Sequence, residues 1–455
     1  MRIADKPILF LFLALIIWMP LPLGSNRPWA WSVIEVISFG LTAYWFINYL
    51  RQKIEFPSLI FQSKWLFISI GLFAIVILIQ ILPIPSEIVH LIRPVDTQFE
   101  PSQWTTISID PTITWIHLKQ TLAFACLAFL TLALINNRQR LKLLAFTFIL
   151  SGTLQALYGS FMTLSGIEYG FFFKKEAFHG VATGTYWNRN HFANYLIICL
   201  SMGIGLLLSE LYQTKSASWR EQGRRFLQSL LGNKIKVRIC LAIMVIALVL
   251  SHSRMGNTAF FVSLIISGFL WLILTQKVTK GSLLLLASLL VIDLFIVGAW
   301  FGIDKVAERI EGTTFTKETR DEVNRDTLIL ISDQPLLGTG AGSFYTAFPQ
   351  YRGNDINLYY DHTHNDYLQF VAEHGLIGVI PLIMLLFGSI YQAVQTMRTR
   401  RTLIFQSMAF APMMACIAMM IHSTVDFSLQ LPANAASFII ILSLSWVVRH
   451  LPRKA

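Results

Sequence analysis

Residues 361–367 read Asp-His-Thr-His-Asn-Asp-Tyr. An imidazole can be neutral near physiological pH and accept a proton from a hydroxyl, so His364 is a candidate general base. Asp361 and Asp366 stand close enough in sequence to orient the ring. The run admits two other readings. His362 and His364 with the two aspartates form a donor set suited to Zn or Mn, and the stretch also fits a solvated loop. The chain turns apolar at once, at Tyr367-Leu368-Gln369-Phe370, which puts His364 at the entry to a helix.

Two arginines could handle an anion. Arg254, in Ser251-His252-Ser253-Arg254, lies in a short connection between two apolar runs. A charge there is costly, about 2.5–3.5 kcal/mol at a helix centre and less near its end. It fits an arginine snorkelling to lipid headgroups, and equally a phosphate ligand, because a guanidinium meets phosphate oxygens with a planar fork. Arg189 sits in Trp187-Asn188-Arg189-Asn190-His191, directly before a helix. A helix N-terminus beside an arginine favours an anion, though asparagine caps around a loop arginine would look the same.

Other candidates are less specific. Gly338-Thr339-Gly340-Ala341-Gly342 resembles a phosphate-cradling loop but has no preceding strand and no Gly-Lys-Ser/Thr ending, so it reads as a flexible turn. His422 and Asp426, four apart near the end of an apolar run, would share a helix face. They fit the lining of a cavity, together with His362 and Asp366, or a polar contact between helices. Cys126, Cys199, Cys240 and Cys416 lie in apolar runs without metal-ligand spacing and read as packing residues.

These residues must be positioned by a membrane protein. Of the 455 residues 55% are hydrophobic and only 13% charged, and the mean hydropathy is +0.58. A soluble chain of that length could not solvate such a surface. The expected fold is all-α: a polytopic bundle of about twelve helices, near 7–24, 31–50, 65–84, 118–136, 141–164, 191–210, 238–255, 257–275, 281–302, 373–396, 404–424 and 432–449. The first run, after Arg2 and Lys6, is expected to be an uncleaved helix rather than a signal peptide, since no Ala-x-Ala-like site follows it.

The net charge of +11 does not indicate nucleic acid, because the basic residues fall in short runs between apolar segments. With the N-terminus inside, every inner segment is basic, from Arg51, Lys53 and Lys64 through the cluster at 215–238 to Arg398, Arg400 and Arg401. The positive-inside rule then puts both termini in the cytoplasm and the 361–367 cluster, Arg189 and Arg254 outside. The expected divisions are an N-terminal part, 1–164, with about five helices and a Pro-rich outer loop at 85–117; a core at 165–396 with a large outer loop at 303–372; and two helices in 397–455. Within the large loop, Glu318 to Ser332 reads as a helix ended by Asp333-Gln334-Pro335, its Leu328, Ile329 and Ile331 set to face the bundle or membrane.

Four stretches, in this order, resemble the membrane family of O-antigen ligases and O-antigen or exopolysaccharide polymerases. They are Trp187-Asn188-Arg189-Asn190-His191-Phe192-Ala193; Ser253-Arg254-Met255-Gly256; Pro335-Leu336-Leu337-Gly338-Thr339-Gly340; and His364-Asn365-Asp366-Tyr367-Leu368 followed by Glu373-His374-Gly375. Met255 stands where the family commonly has glycine after Ser-Arg. The resemblance implies a glycosyltransferase of surface-polysaccharide or lipopolysaccharide synthesis in the bacterial inner membrane, facing the periplasm. Its donor would be an undecaprenyl-diphosphate-linked glycan and its acceptor another glycan or the lipid A core. His364 would be the catalytic base and Arg254 and Arg189 the diphosphate ligands, with Arg320 and Arg325 at a less regular basic position. No cofactor and no metal is expected, and inversion at the anomeric carbon follows from direct displacement. The rival class is a transporter or flippase for the same lipid-linked glycans, which would need the arginines but no base.

Overall fold

The computed structural model describes residues 5–92, 104–210, 233–275, 287, 320–356 and 358–452. The fold is all-α and polytopic. In chain order its helices are α1 (Lys6–Trp18), α2 (Pro28–Leu50), α3 (Ser58–Gln62), α4 (Lys64–Ile81), α5 (Ser86–Ile92), α6 (Pro111–Leu134), α7 (Arg138–Ser165), α8 (Arg189–Glu210), α9 (Asn233–Leu250), α10 (Arg254–Leu274), α11 (Arg320–Asp333), α12 (Phe344–Ala347), α13 (Asp366–Thr399), α14 (Leu403–Met408), α15 (Phe410–His422) and α16 (Pro432–His450). Two-residue strand pairs join Ile84–Pro85 to Trp104–Thr105 and Tyr169–Gly170 to Phe173–Lys174. All four cysteines are free.

Among the described residues nine helices are long and apolar enough to cross a membrane, counting 403–422 as one. The twelve expected from the sequence differ from these for local reasons. The expected run 281–302 lies, all but residue 287, outside the described residues. Helix α9, which covers most of the expected run 238–255, is not among the nine, since its 18 residues include Lys234, Lys236 and Arg238. The run 7–24 yields only 13 helical residues, because Pro20 and Pro22 end α1 and Leu23–Ser25 forms a tight turn with positive φ. Helices α6 and α13 start well before the apolar runs that mark them in the sequence. Pro111 opens α6 at its first turn, where the Asp110 carboxylate accepts the Ile113 N–H at 3.1 Å. Asn365 opens α13, its side chain accepting the Tyr367 and Leu368 N–H groups at 3.0 and 3.2 Å.

Helix α8 is the axis of the bundle. It is buried along its apolar length and packs against α7, α9, α14 and α15. One of these neighbours, α7, is tied to the start of α1 by a buried ion pair: Arg140 meets Asp5, just before α1, through two bonds of 2.6 and 2.7 Å. Helix α11 ends at Asp333 as the breaker requires, and Ile331 packs against the apolar cluster inside it. Val323 and Leu330 pack with Phe344, Phe348 and Ala372, while Leu328 and Ile329 are exposed.

Helix α13 is broken at Gly375, whose φ of 62° and ψ of −179° only glycine adopts readily. The N–H groups freed by the break are not lost: Leu376 donates to the Pro335 carbonyl (2.8 Å) and Ile377 to that of Leu336 (3.1 Å). The glycine-rich turn that follows Pro335 locks into the same place. Thr339 N donates to Ala372 O (2.9 Å), Gly340 N to Glu373 O (3.0 Å) and Gly342 N to the Glu373 carboxylate (2.9 Å). Far from being a flexible turn, 338–343 is mostly buried and clamps the broken helix. A Cβ on Gly375 would collide with the Leu336 carbonyl. Gly375→Ala should therefore destabilise the protein by about 1–3 kcal/mol from backbone strain alone, with the collision adding to it, and lower its melting temperature in detergent. An unchanged melting temperature would show that the break is not held by the 335–343 turn.

Candidate functional site

The N-termini of α8, α10 and α13 and the C-terminus of α15 converge at one end of the bundle through linked contacts. Ser253, the N-cap of α10, accepts the Gly256 N–H (3.1 Å) and donates its hydroxyl to Asn190 Oδ1 on α8 (2.8 Å). Gly256 and Ala193 let the two helices approach closely. At the start of α13, the Asp366 N–H donates to the carbonyls of Ser423 and Asp426, at 3.0 and 3.1 Å. The Asp366 carboxylate accepts from Ser423 Oγ (2.9 Å), Leu429 N (3.2 Å) and Gln430 Nε2 (3.3 Å). The segment between α15 and α16 is thus stapled to the base of the 361–365 loop.

Within this frame the histidines gather. Phe427 is the meeting point. The His362 ring stacks on it at 4.3 Å between centroids, and His191 and His364 stand edge-on at 4.6 and 4.7 Å. Behind it the buried Asp426 carboxylate lies 3.6 Å from His191 Nε2 and 3.6 Å from His422 Nδ1, and accepts the Ser428 hydroxyl at 2.8 Å. Burial opposes ionisation of Asp426, but the two imidazoles outweigh it and hold the carboxyl below its ordinary range. Asp426 does not share a helix face with His422, since α15 ends at His422; the contact is made by the turn beyond it.

His364 has φ 56°, an uncommon conformation for a residue with a Cβ. Burial and, next, the charge of Arg320 push its pKa down to about 4, so the ring is neutral at physiological pH. The neighbouring aspartates do not orient it. Asp366 is fully engaged elsewhere, and among the described residues no hydrogen bond reaches the His364 side chain. His362, also shifted down by burial, accepts from Gln369 Nε2 at 2.8 Å, and Gln369 in turn donates to Glu373 at 3.0 Å. The same glutamate accepts the Gly342 N–H, so the loop is tied to the glycine-rich turn.

Of the basic candidates, Arg254 opens α10 with an exposed side chain. Arg189 opens α8, half-buried, its guanidinium 5.6 Å from the Phe178 ring. Arg320 opens α11 and acts electrostatically on His364. Arg325 is committed to Asp326 (2.9 Å) and Asp355 (3.0 Å), pairs that fasten the 353–355 turn. Among the described residues no three His, Cys, Asp or Glu side chains are grouped to hold a metal ion.

Next to the histidines lies a mainly apolar cavity of about 280 Å³, walled by α4, α6, α13, α15 and α16. Phe73, Phe124, Phe370 and Phe438 line it, and Asp366, Ser423 and Gln430 form a polar end. Asp366 lines this cavity, whereas His362, His422 and Asp426 do not. From the sequence, His191, Gln369 and Glu373 stood only as members of motif stretches, and Phe427 was passed over. The signal was present in His191 two residues after Arg189 and in an aromatic directly after Asp426.

Residues 239–383 match the family model described as O-Antigen ligase. No curated protein matches the chain.

The geometry makes a prediction for His364. Because burial and Arg320 depress its pKa to about 4, the imidazole should stay unprotonated at pH 5. Diethyl pyrocarbonate acylates neutral imidazole, so site-resolved mass spectrometry should find His364 still reactive at pH 5. A reactivity midpoint near 6.5 would contradict this environment.

Proposed function

We propose that this chain, a member of the O-antigen ligase family through residues 239–383, is a glycosyltransferase acting on an undecaprenyl-diphosphate-linked glycan at the periplasmic face of a bacterial inner membrane. Its acceptor is a hydroxyl of another glycan or of the lipid A core. The observation that carries the reading is one convergence: a neutral imidazole, His364, at the end of the bundle where two helices open with arginines. The adjoining apolar cavity supports a substrate borne on a lipid, and the basic runs of the sequence support the sidedness.

The chemistry follows from these groups. His364 accepts the proton of the acceptor hydroxyl as its oxygen attacks the anomeric carbon. The bond from that carbon to the diphosphate breaks, and the electron pair leaves with the diphosphate. Attack from the face opposite the leaving group inverts the centre. Arg254 and Arg189 stabilise the charge that develops on the departing diphosphate, and the positive ends of α8 and α10 act in the same sense. Arg320 helps to keep His364 unprotonated and ready to accept.

Purified protein reconstituted with lipid-linked glycan and acceptor should join the two without a partner flippase, and should do so in EDTA, since the cations in this reading are arginines. Arg254→Lys keeps the charge but loses the planar fork, so turnover should fall strongly while protein level holds. Parental turnover in Arg254→Lys would remove bidentate diphosphate binding. Transport of the lipid-linked glycan without product would replace the enzyme reading with a transporter.

A further inference from the structure

A catalytic imidazole is normally oriented by a hydrogen-bonded third group. Among the described residues His364 has none: its ring is bounded by Tyr360, 5.8 Å away, and by Phe427, 4.7 Å away, both edge-on. Its backbone sits at φ 56°, a conformation that persists only where the surroundings enforce it. The surroundings at Phe427 are well fixed. The residue is 9% exposed. Asp426 before it is held by Ser428, His191 and His422, and Leu429 beyond it donates its N–H to Asp366. His362, on the same loop as His364, stacks on the ring face at 22°. The loop therefore meets one nearly buried aromatic surface at two imidazoles.

We propose that Phe427 is a positioning residue for His364, its ring setting the direction in which the base presents its free nitrogen. The inference rests on the reading of His364 as the base. A packing residue and a positioning residue differ in what their loss changes. Leucine fills much of the same volume but offers no flat ring, and it leaves Asp426, His191 and His422 in place. Tyrosine keeps the ring.

The test uses the full-length protein in proteoliposomes, with lipid-linked glycan and acceptor as substrates. Phe427→Leu should lower kcat by about 10²-fold, the cost of misplacing a reacting group by about 1 Å, with KM for the donor within about twofold of the parent. Its melting temperature in detergent should stay at the parental value. Phe427→Tyr should recover most of the turnover. Parental kcat in Phe427→Leu, alongside an inactive His364→Ala, would overturn the proposal while leaving the base reading intact. Joint losses of kcat, donor KM and melting temperature in both Phe427 variants would overturn it in favour of packing. Parental activity in His364→Ala would instead remove the base reading beneath it.

Discussion

A carboxylate taken out of water must find compensating partners or remain uncharged. Asp426 is fully buried, and its partners come from separate parts of the chain: His191 at the start of α8, His422 at the end of α15, and the Ser428 hydroxyl. Its backbone carbonyl receives the first N–H of α13. The segment that carries the aromatic platform is consequently fixed to three helices at once. Removing one imidazole from such a cluster leaves a buried charge under-compensated, so the arrangement is kept or lost as a unit.

The second requirement is that helix starts, rather than helix middles, face the site. Each α-helix leaves its first N–H groups unpaired and its N-terminus partly positive. Helices α8, α10 and α13 all begin here, and the Ser253–Asn190 bond joins the first two. The arginines at the starts of α8 and α10 add full charges to these partial ones. Two arginines thus open helices at this end of an otherwise apolar bundle, where burial and Arg320 hold the His364 imidazole neutral. In the proposed reaction, fixed cations and a neutral base would suit the departure of a diphosphate and the arrival of a hydroxyl.

The helices were legible because twenty apolar residues in a row have few alternatives in a membrane. Their starts were less so. Apolar counting sees the hydrocarbon segment of α13 from 373, whereas the Asn365 cap begins the helix at Asp366. The break at Gly375 was hidden, since the apolar pattern runs on either side of it, and only the distant Pro335 and Leu336 carbonyls reveal why it is stable. The glycine run at 338–342 read as flexible for the same reason: its restraints come from Glu373, Ala372 and Ser108, all remote in sequence. For the site, motif order pointed to His364, Arg189 and Arg254. It did not separate Arg325, whose charge is engaged by Asp326 and Asp355, from Arg320, which acts on the histidine. It also did not reveal Phe427, because an aromatic in an apolar stretch carries no sign of what will pack on it.

The most direct measurement is product and donor binding in one preparation of His364→Ala, with His362→Ala beside it. Loss of a general base costs about 10²–10⁴ in rate but leaves the arginines proposed to bind the donor. The account predicts no detectable glycan product from His364→Ala, parental binding of the lipid-linked donor, and a milder loss from His362→Ala. Normal product from His364→Ala would contradict it, and equal losses from the two variants would point to a paired histidine site in place of a single base.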